Sequence, residues 1–64
     1  MKYLAHKRLA DKIHESGYRK DYIAKCIGKY PSDISHYLSG SQRPDNVTMR
    51  LLAVKLNCSV DDIS

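Results

Sequence analysis

Tryptophan and phenylalanine are absent from this chain of 64 residues, and cysteine occurs twice. Its aromatic side chains are therefore five tyrosines, which points to half-buried rings whose hydroxyls stay wet. Cys26 and Cys58 lack the short-spaced Cys/His partners that a metal site needs. Each lies in an apolar stretch, so both are expected as reduced thiols of the core. His6 and His14 fall about two turns apart on one helix, too far for joint ligation, and read as surface residues. Long apolar runs are missing too, which leaves nothing to serve as a membrane span or signal segment; a cytoplasmic location is expected. No nucleophile, base and orienter can be assembled, because His36 and the serines around it lack a third partner and a pocket. The expectation is a non-enzyme with no cofactor and no metal. Acidic residues are outnumbered, seven against eleven Lys and Arg, for a net charge of +4. That mild surplus favours an anionic partner.

What is present is a run of short amphipathic helices with clear punctuation. Ala5, Leu9 and Ile13 repeat at i, i+4, i+8 and predict a first helix over about 2–16, ended by Gly17, with Tyr18 as the next apolar anchor. Ile23, Ala24 and Ile27 give a second helix, about 20–27, a narrow buried face. Ala24 suits the closest approach of two steeply crossing helices. Gly28 ends that helix, and Lys29-Tyr30 form a turn. Pro31 suits the first position of a third helix, and Asp33 opposes the positive end of its dipole. Ile34, Tyr37 and Leu38 point inward, Ser32, Ser35, His36 and Ser39 outward, and Gly40 closes the helix. After a loop, Asp45 caps a fourth helix that runs to about Leu56 and stops at Asn57. Ser59-Val60-Asp61-Asp62 is a capping-box-like start for a last helix of about a turn and a half. No repeat or linker interrupts the pattern, so 1–64 reads as a single domain with a helix-turn-helix over about 19–40.

Position by position, Ile23-Ala24, Ile27-Gly28, Ile34-Ser35, Gly40, Pro44, Leu52-Ala53 and Leu56-Asn57-Cys58-Ser59 resemble the Cro/repressor-type (XRE-like) helix-turn-helix family of phage and bacterial regulators. The resemblance covers roughly residues 9 to 63. Lys29, Tyr30 and Leu38 depart from it, standing where the family has an apolar residue, a small polar N-cap and a polar residue. It implies an all-α, compact bundle of four to five short helices of the lambda-repressor-like DNA-binding type, with helix three read into the major groove of double-stranded DNA.

Carried onto this chain, the resemblance implies base reading by Pro31, Ser32, Asp33, Ser35 and His36. His36 could donate to guanine N7 or O6, and Asp33 could accept from cytosine N4. Asp33 has a second reading as a helix-start charge that repels phosphate. Helix three carries little positive charge, so its grip is assigned to phosphate contacts from Arg19, Lys20, Lys29 and Arg43, with Tyr37 and Ser39 as hydroxyl donors. Lys20 stands at a position where the family often has a Gln that holds a phosphate with the helix-two N-terminus. Tyr22 and Tyr30 could add contacts but read as packing.

Helix four is apolar on two sides. Met49, Leu52, Ala53 and Leu56 face the core. Val47, Leu51 and Val54, at i, i+4, i+7, form a second stripe nearly opposite. Either the C-terminal stub with Val60 and Ile63 folds over that stripe, or it is a two-fold contact that makes a homodimer. The dimer would place two recognition helices on half-sites about 34 Å apart. The expected function is a Cro-like repressor on a palindromic operator. The alternative is a protein-interaction module that binds a partner, such as a toxin or another regulator, through helix four.

Overall fold

In the computed structural model, which describes residues 3–64, five helices follow one another: α1 (His6–Ser16), α2 (Lys20–Ile27), α3 (Pro31–Ser39), α4 (Asn46–Lys55) and α5 (Val60–Ile63). The chain is all-α, as the periodicity predicts. Helix α3 packs on both α1 and α2, α4 on α2 and α5, and α5 on α1. Leu9, Ile23, Ile34, Leu52 and Ile63 are fully enclosed where these layers meet, and Ala24 is buried beside them. None of the helices among the described residues is long and apolar enough to cross a membrane.

Three helices end by one device. An N–H two or three residues past the helix reaches back to a carbonyl five residues earlier: Lys29 to Ala24 at 2.8 Å, Ser41 to His36 at 3.1 Å and Cys58 to Ala53 at 3.0 Å. Such a closure needs a left-handed residue in between. Gly28 and Gly40 supply it with φ of 71° and 81°, and Asn57 does so with φ 55°. The stop predicted at Asn57 is therefore the one observed. Asp45 caps α4 as expected, its carboxylate accepting from Thr48 N–H at 2.7 Å. Ser59 opens α5, with its N–H donating to Asp62 at 3.1 Å.

Four expectations need correction. The first helix starts at His6; its expected beginning at residue 2 lies outside the described residues. The preceding segment is drawn elsewhere: Tyr3 is buried, its N–H donates to the Gly40 carbonyl at 3.0 Å, and its hydroxyl donates to the Ile63 carbonyl. Tyr3 lies outside the helix, and Ala5 forms the N-cap with φ −89° and ψ 16°. Both cysteines are free, but only Cys58 is half-buried against the core as expected; Cys26 is exposed and is no core thiol. At about 100° per residue, Cys26 falls off the face that Ile23, Ala24 and Ile27 share. His6 is half-buried, with Nδ1 3.0 Å from the Leu38 carbonyl. The tyrosines, finally, divide into two kinds. Tyr3 and Tyr37 are buried, whereas Tyr18, Tyr22 and Tyr30 are exposed.

Tyr18 thus anchors no core. Its ring meets that of Tyr22 at 5.2 Å between centres, and the Lys55 ammonium lies 5.3 and 4.7 Å from the two centres. Lys55 also donates to the Tyr22 hydroxyl at 2.8 Å, and that bond raises its pKa. This outer clasp ties the start of α2 to the end of α4.

Candidate nucleic-acid interface

The turn between α2 and α3 is set by Gly28, and α3 begins without help from its N-cap side chain. Tyr30 stands at the N-cap and is 76% exposed; its phenol cannot fold back on its own helix as a serine would. The opposite half of a capping box replaces it: the Tyr30 N–H donates to the Asp33 carboxylate at 3.1 Å. The departure from the family pattern at Tyr30 is absorbed in this way. Asp33 is half-buried, and its carboxylate is engaged in closing the helix start.

Of the other base-reading candidates, Pro31, Ser32, Ser35 and His36 are exposed. Ile34 and Tyr37 alternate with them and are buried at 0% and 3%, so α3 presents one polar side outward and one apolar side to the core. Tyr37 is therefore a packing residue. Burial, with the Asp33 and Asp45 carboxylates nearby, pushes its phenol pKa up. Ser39 is exposed, and its hydroxyl donates to the His36 carbonyl at 3.1 Å. His36 Nδ1 lies 3.2 Å from the Ser41 hydroxyl, a contact that sequence periodicity does not reveal.

The cations flank this helix in the chain. Arg19 is the N-cap of α2 and lies 3.6 Å from Asp21 in an exposed ion pair, of little energetic consequence in water. Lys20 and Arg43 are exposed and Lys29 half-buried, and none of the three is in an ion pair among the described residues. Lys29 is close enough to Asp45 to help hold that carboxyl below its usual range, although the Thr48 N–H is the main cause. No side chain caps α2, so the N–H groups of its first turn point outward at the positive end of the helix dipole.

Gly40 joins this interface to the rest of the fold. A Cβ there would meet the His6 ring at 2.6 Å, so α1 seats directly beneath the end of α3. On the far side, Val47, Leu51 and Val54 are 68%, 43% and 81% exposed. The C-terminal stub does not cover them. Ile63 goes into the core between α1 and α4, where Tyr3 holds its carbonyl. Leu51 and Val54 instead line a shallow groove of about 310 Å³ with Cys26, Ile27 and Lys55.

No protein-family model matches the chain, and no curated protein matches it in sequence. Among solved structures, it superposes on the P22 c2 repressor protein, seen in complex with synthetic operator 9T in the presence of Tl+. The TM-score is 0.88 at 22% identity, over 94% of this chain and 91% of that one. It superposes also on the restriction-modification controller protein C.AhdI from Aeromonas hydrophila, with TM-score 0.85 and 18% identity, over 97% of this chain and 90% of that one. At these identities the likeness is one of fold: the chain has the helix-turn-helix fold of a repressor and of a controller protein, the architecture that its own residues resemble.

Proposed function

We propose that this domain is a transcriptional regulator that binds double-stranded DNA in a sequence-specific manner, with α3 in the major groove, and that it is not an enzyme. The observation that carries the reading is the outward side of α3. It exposes Pro31, Ser32, Ser35 and His36 on a helix whose other side is locked in the core. Hydrogen-bonding side chains on a rigid helix can read base edges. The likeness in fold to a repressor seen on an operator supports the same reading.

Affinity comes from the flanks. Lys20 and the uncapped N–H groups of α2 take one phosphate, and Arg19, Lys29 and Arg43 take others; the Ser39 hydroxyl is already engaged with the His36 carbonyl. Neutralising about four to five phosphates per copy gives a salt slope of about −4. Two copies join through Val47, Leu51 and Val54, whose exposure supports the pairing, and address a palindromic operator as a Cro-like repressor does.

Selection of bound duplexes from a random pool, followed by titration of salt, tests the proposal. We expect enrichment of a palindrome with half-site centres one helical turn apart, and binding that weakens steeply between about 50 and 200 mM salt. No enrichment together with salt-insensitive binding would refute it. The exposed α4 stripe also fits a second reading, a module that binds a protein partner through α4. A DNA reader loses its gel shift when Lys20, Arg43 and His36 are removed. A partner-only module tolerates those changes and fails on Leu51→Glu.

A further inference from the structure

Residues 39–42 converge on one histidine. The His36 carbonyl accepts the N–H of Ser41 at 3.1 Å, the N–H of Gln42 at 3.3 Å, the Ser39 hydroxyl at 3.1 Å and the Ser41 hydroxyl at 3.3 Å. The His36 ring is held as well: Nδ1 lies 3.2 Å from the Ser41 hydroxyl, which is itself 3.0 Å from that of Ser39. The backbone beneath these hydroxyls is held too. Gly40 has φ 81° over the His6 ring, and its carbonyl accepts the Tyr3 N–H at 3.0 Å. Ser41 thus sits on a supported helix end, and Nε2 is the ring nitrogen of His36 with no partner among the described residues.

We infer that Ser41, backed by Ser39, is a positioning residue that aims the Nε2 edge of His36 at one base pair and so sets discrimination there; this rests on α3 being the DNA-reading helix. The chemistry follows from the hydroxyl, which both donates and accepts. When Ser41 turns its proton from the His36 carbonyl to Nδ1, the ring proton sits on Nε2, which donates to guanine N7 or O6. When Ser41 accepts from Nδ1–H, Nε2 accepts from the amino group of adenine or cytosine. In both states the ring plane is held. Without the hydroxyl, the imidazole of an exposed residue turns freely about its side-chain bonds, and a contact defined by direction is lost.

The test uses the preferred duplex from the random-pool selection and its single base-pair variants, with affinities read by fluorescence anisotropy. Wild type, His36→Ala, Ser41→Ala, Ser41→Thr and the double variant His36→Ala/Ser41→Ala are compared. Ser41→Ala is expected to lose about five- to tenfold of discrimination, part of what a good base contact supplies. The loss should fall at the same base pair as that of His36→Ala. Ser41→Thr, which keeps the hydroxyl, should retain discrimination, and the double variant should be no worse than His36→Ala alone. Their thermal unfolding should stay close to wild type.

Unaltered discrimination in Ser41→Ala, or a loss spread evenly over all sequences, would overturn the inference while leaving the DNA reading intact. A His36→Ala variant that discriminates normally would do the same. A wild-type protein without affinity for any duplex would overturn both.

Discussion

Helices α3 and α4 are nearly equal in length, nine and ten residues, and each buries one side in the same core. Their outward sides are opposites. On α3 that side is hydroxyl and imidazole, whereas on α4 it is Val47, Leu51 and Val54. Polar groups on an exposed helix lose nothing in water and stay available for directional hydrogen bonds. Aliphatic groups in water forgo about 1.5–3 kcal/mol each that full burial would return. The difference teaches that one scaffold can present two kinds of surface: a polar side free to hydrogen-bond in fixed directions, and an apolar side that would gain by excluding water.

The largest expected effect separates the inner and outer sides of α4. Leu52→Ala should lower unfolding stability by about 2–5 kcal/mol, since it opens a cavity. Leu51→Ala, one residue earlier, should change it by about 0.5 kcal/mol or less in the single copy. Urea unfolding at low protein concentration decides this, and equal costs would break the contrast. The next effect concerns association. Leu51→Glu with Val54→Glu should reduce the sedimentation mass from two copies to one; an unchanged mass would dispose of the α4 dimer.

On the α3 side, Lys20→Ala and Arg43→Ala should each weaken binding about equally on all sequences and lower the salt slope by about one. A change of preferred sequence instead would move those residues from phosphate to base. The smallest effect is acid sensitivity at the starts of α4 and α5. The Asp45 carboxyl is held below its usual pKa of 3.8 chiefly by the Thr48 N–H, and Asp62 by the Ser59 N–H. Their folded values are lower than the unfolded ones. The stability they contribute is thus present above about pH 4 and is lost as pH falls through the folded values. Asp45→Asn keeps a capping oxygen but cannot titrate. In it, the Thr48 amide should keep its hydrogen-exchange protection in acid better than in wild type.

Much of this was readable in the chain because its signals are local. Gly28 and Asn57 mark reversals that only neighbouring backbone requires, Asp45 caps three residues ahead, and the Ile34–Tyr37 spacing is one turn of one helix. The outward placement of Ser32, Ser35 and His36 follows from that same turn. What escaped the sequence involves partners far along the chain. Tyr3 meets Gly40 and Ile63, His6 meets Leu38, and Lys55 meets Tyr18 and Tyr22. Ser41 escaped for a different reason: it lies past the helix end, where 3.6-residue periodicity no longer says which way a side chain points. Cys26 misled because its apolar neighbours belong to a face that it does not share.

The sequence by itself determined that there are five helices, where they stop, the caps of α4 and α5, and the polar and apolar sides of α3 and α4, since each depends on residues within a turn of one another. Only the tertiary structure decided where the C-terminal stub goes. Tyr3 and Ile63 meet in the core because the ends of the chain are brought together there, so the stub is spent on that contact and the α4 stripe is left in water. The same long-range packing seats His6 beneath Gly40 and holds the end of α3 in place. Local pattern sets which residues can face outward; closing the core sets which of them stay there.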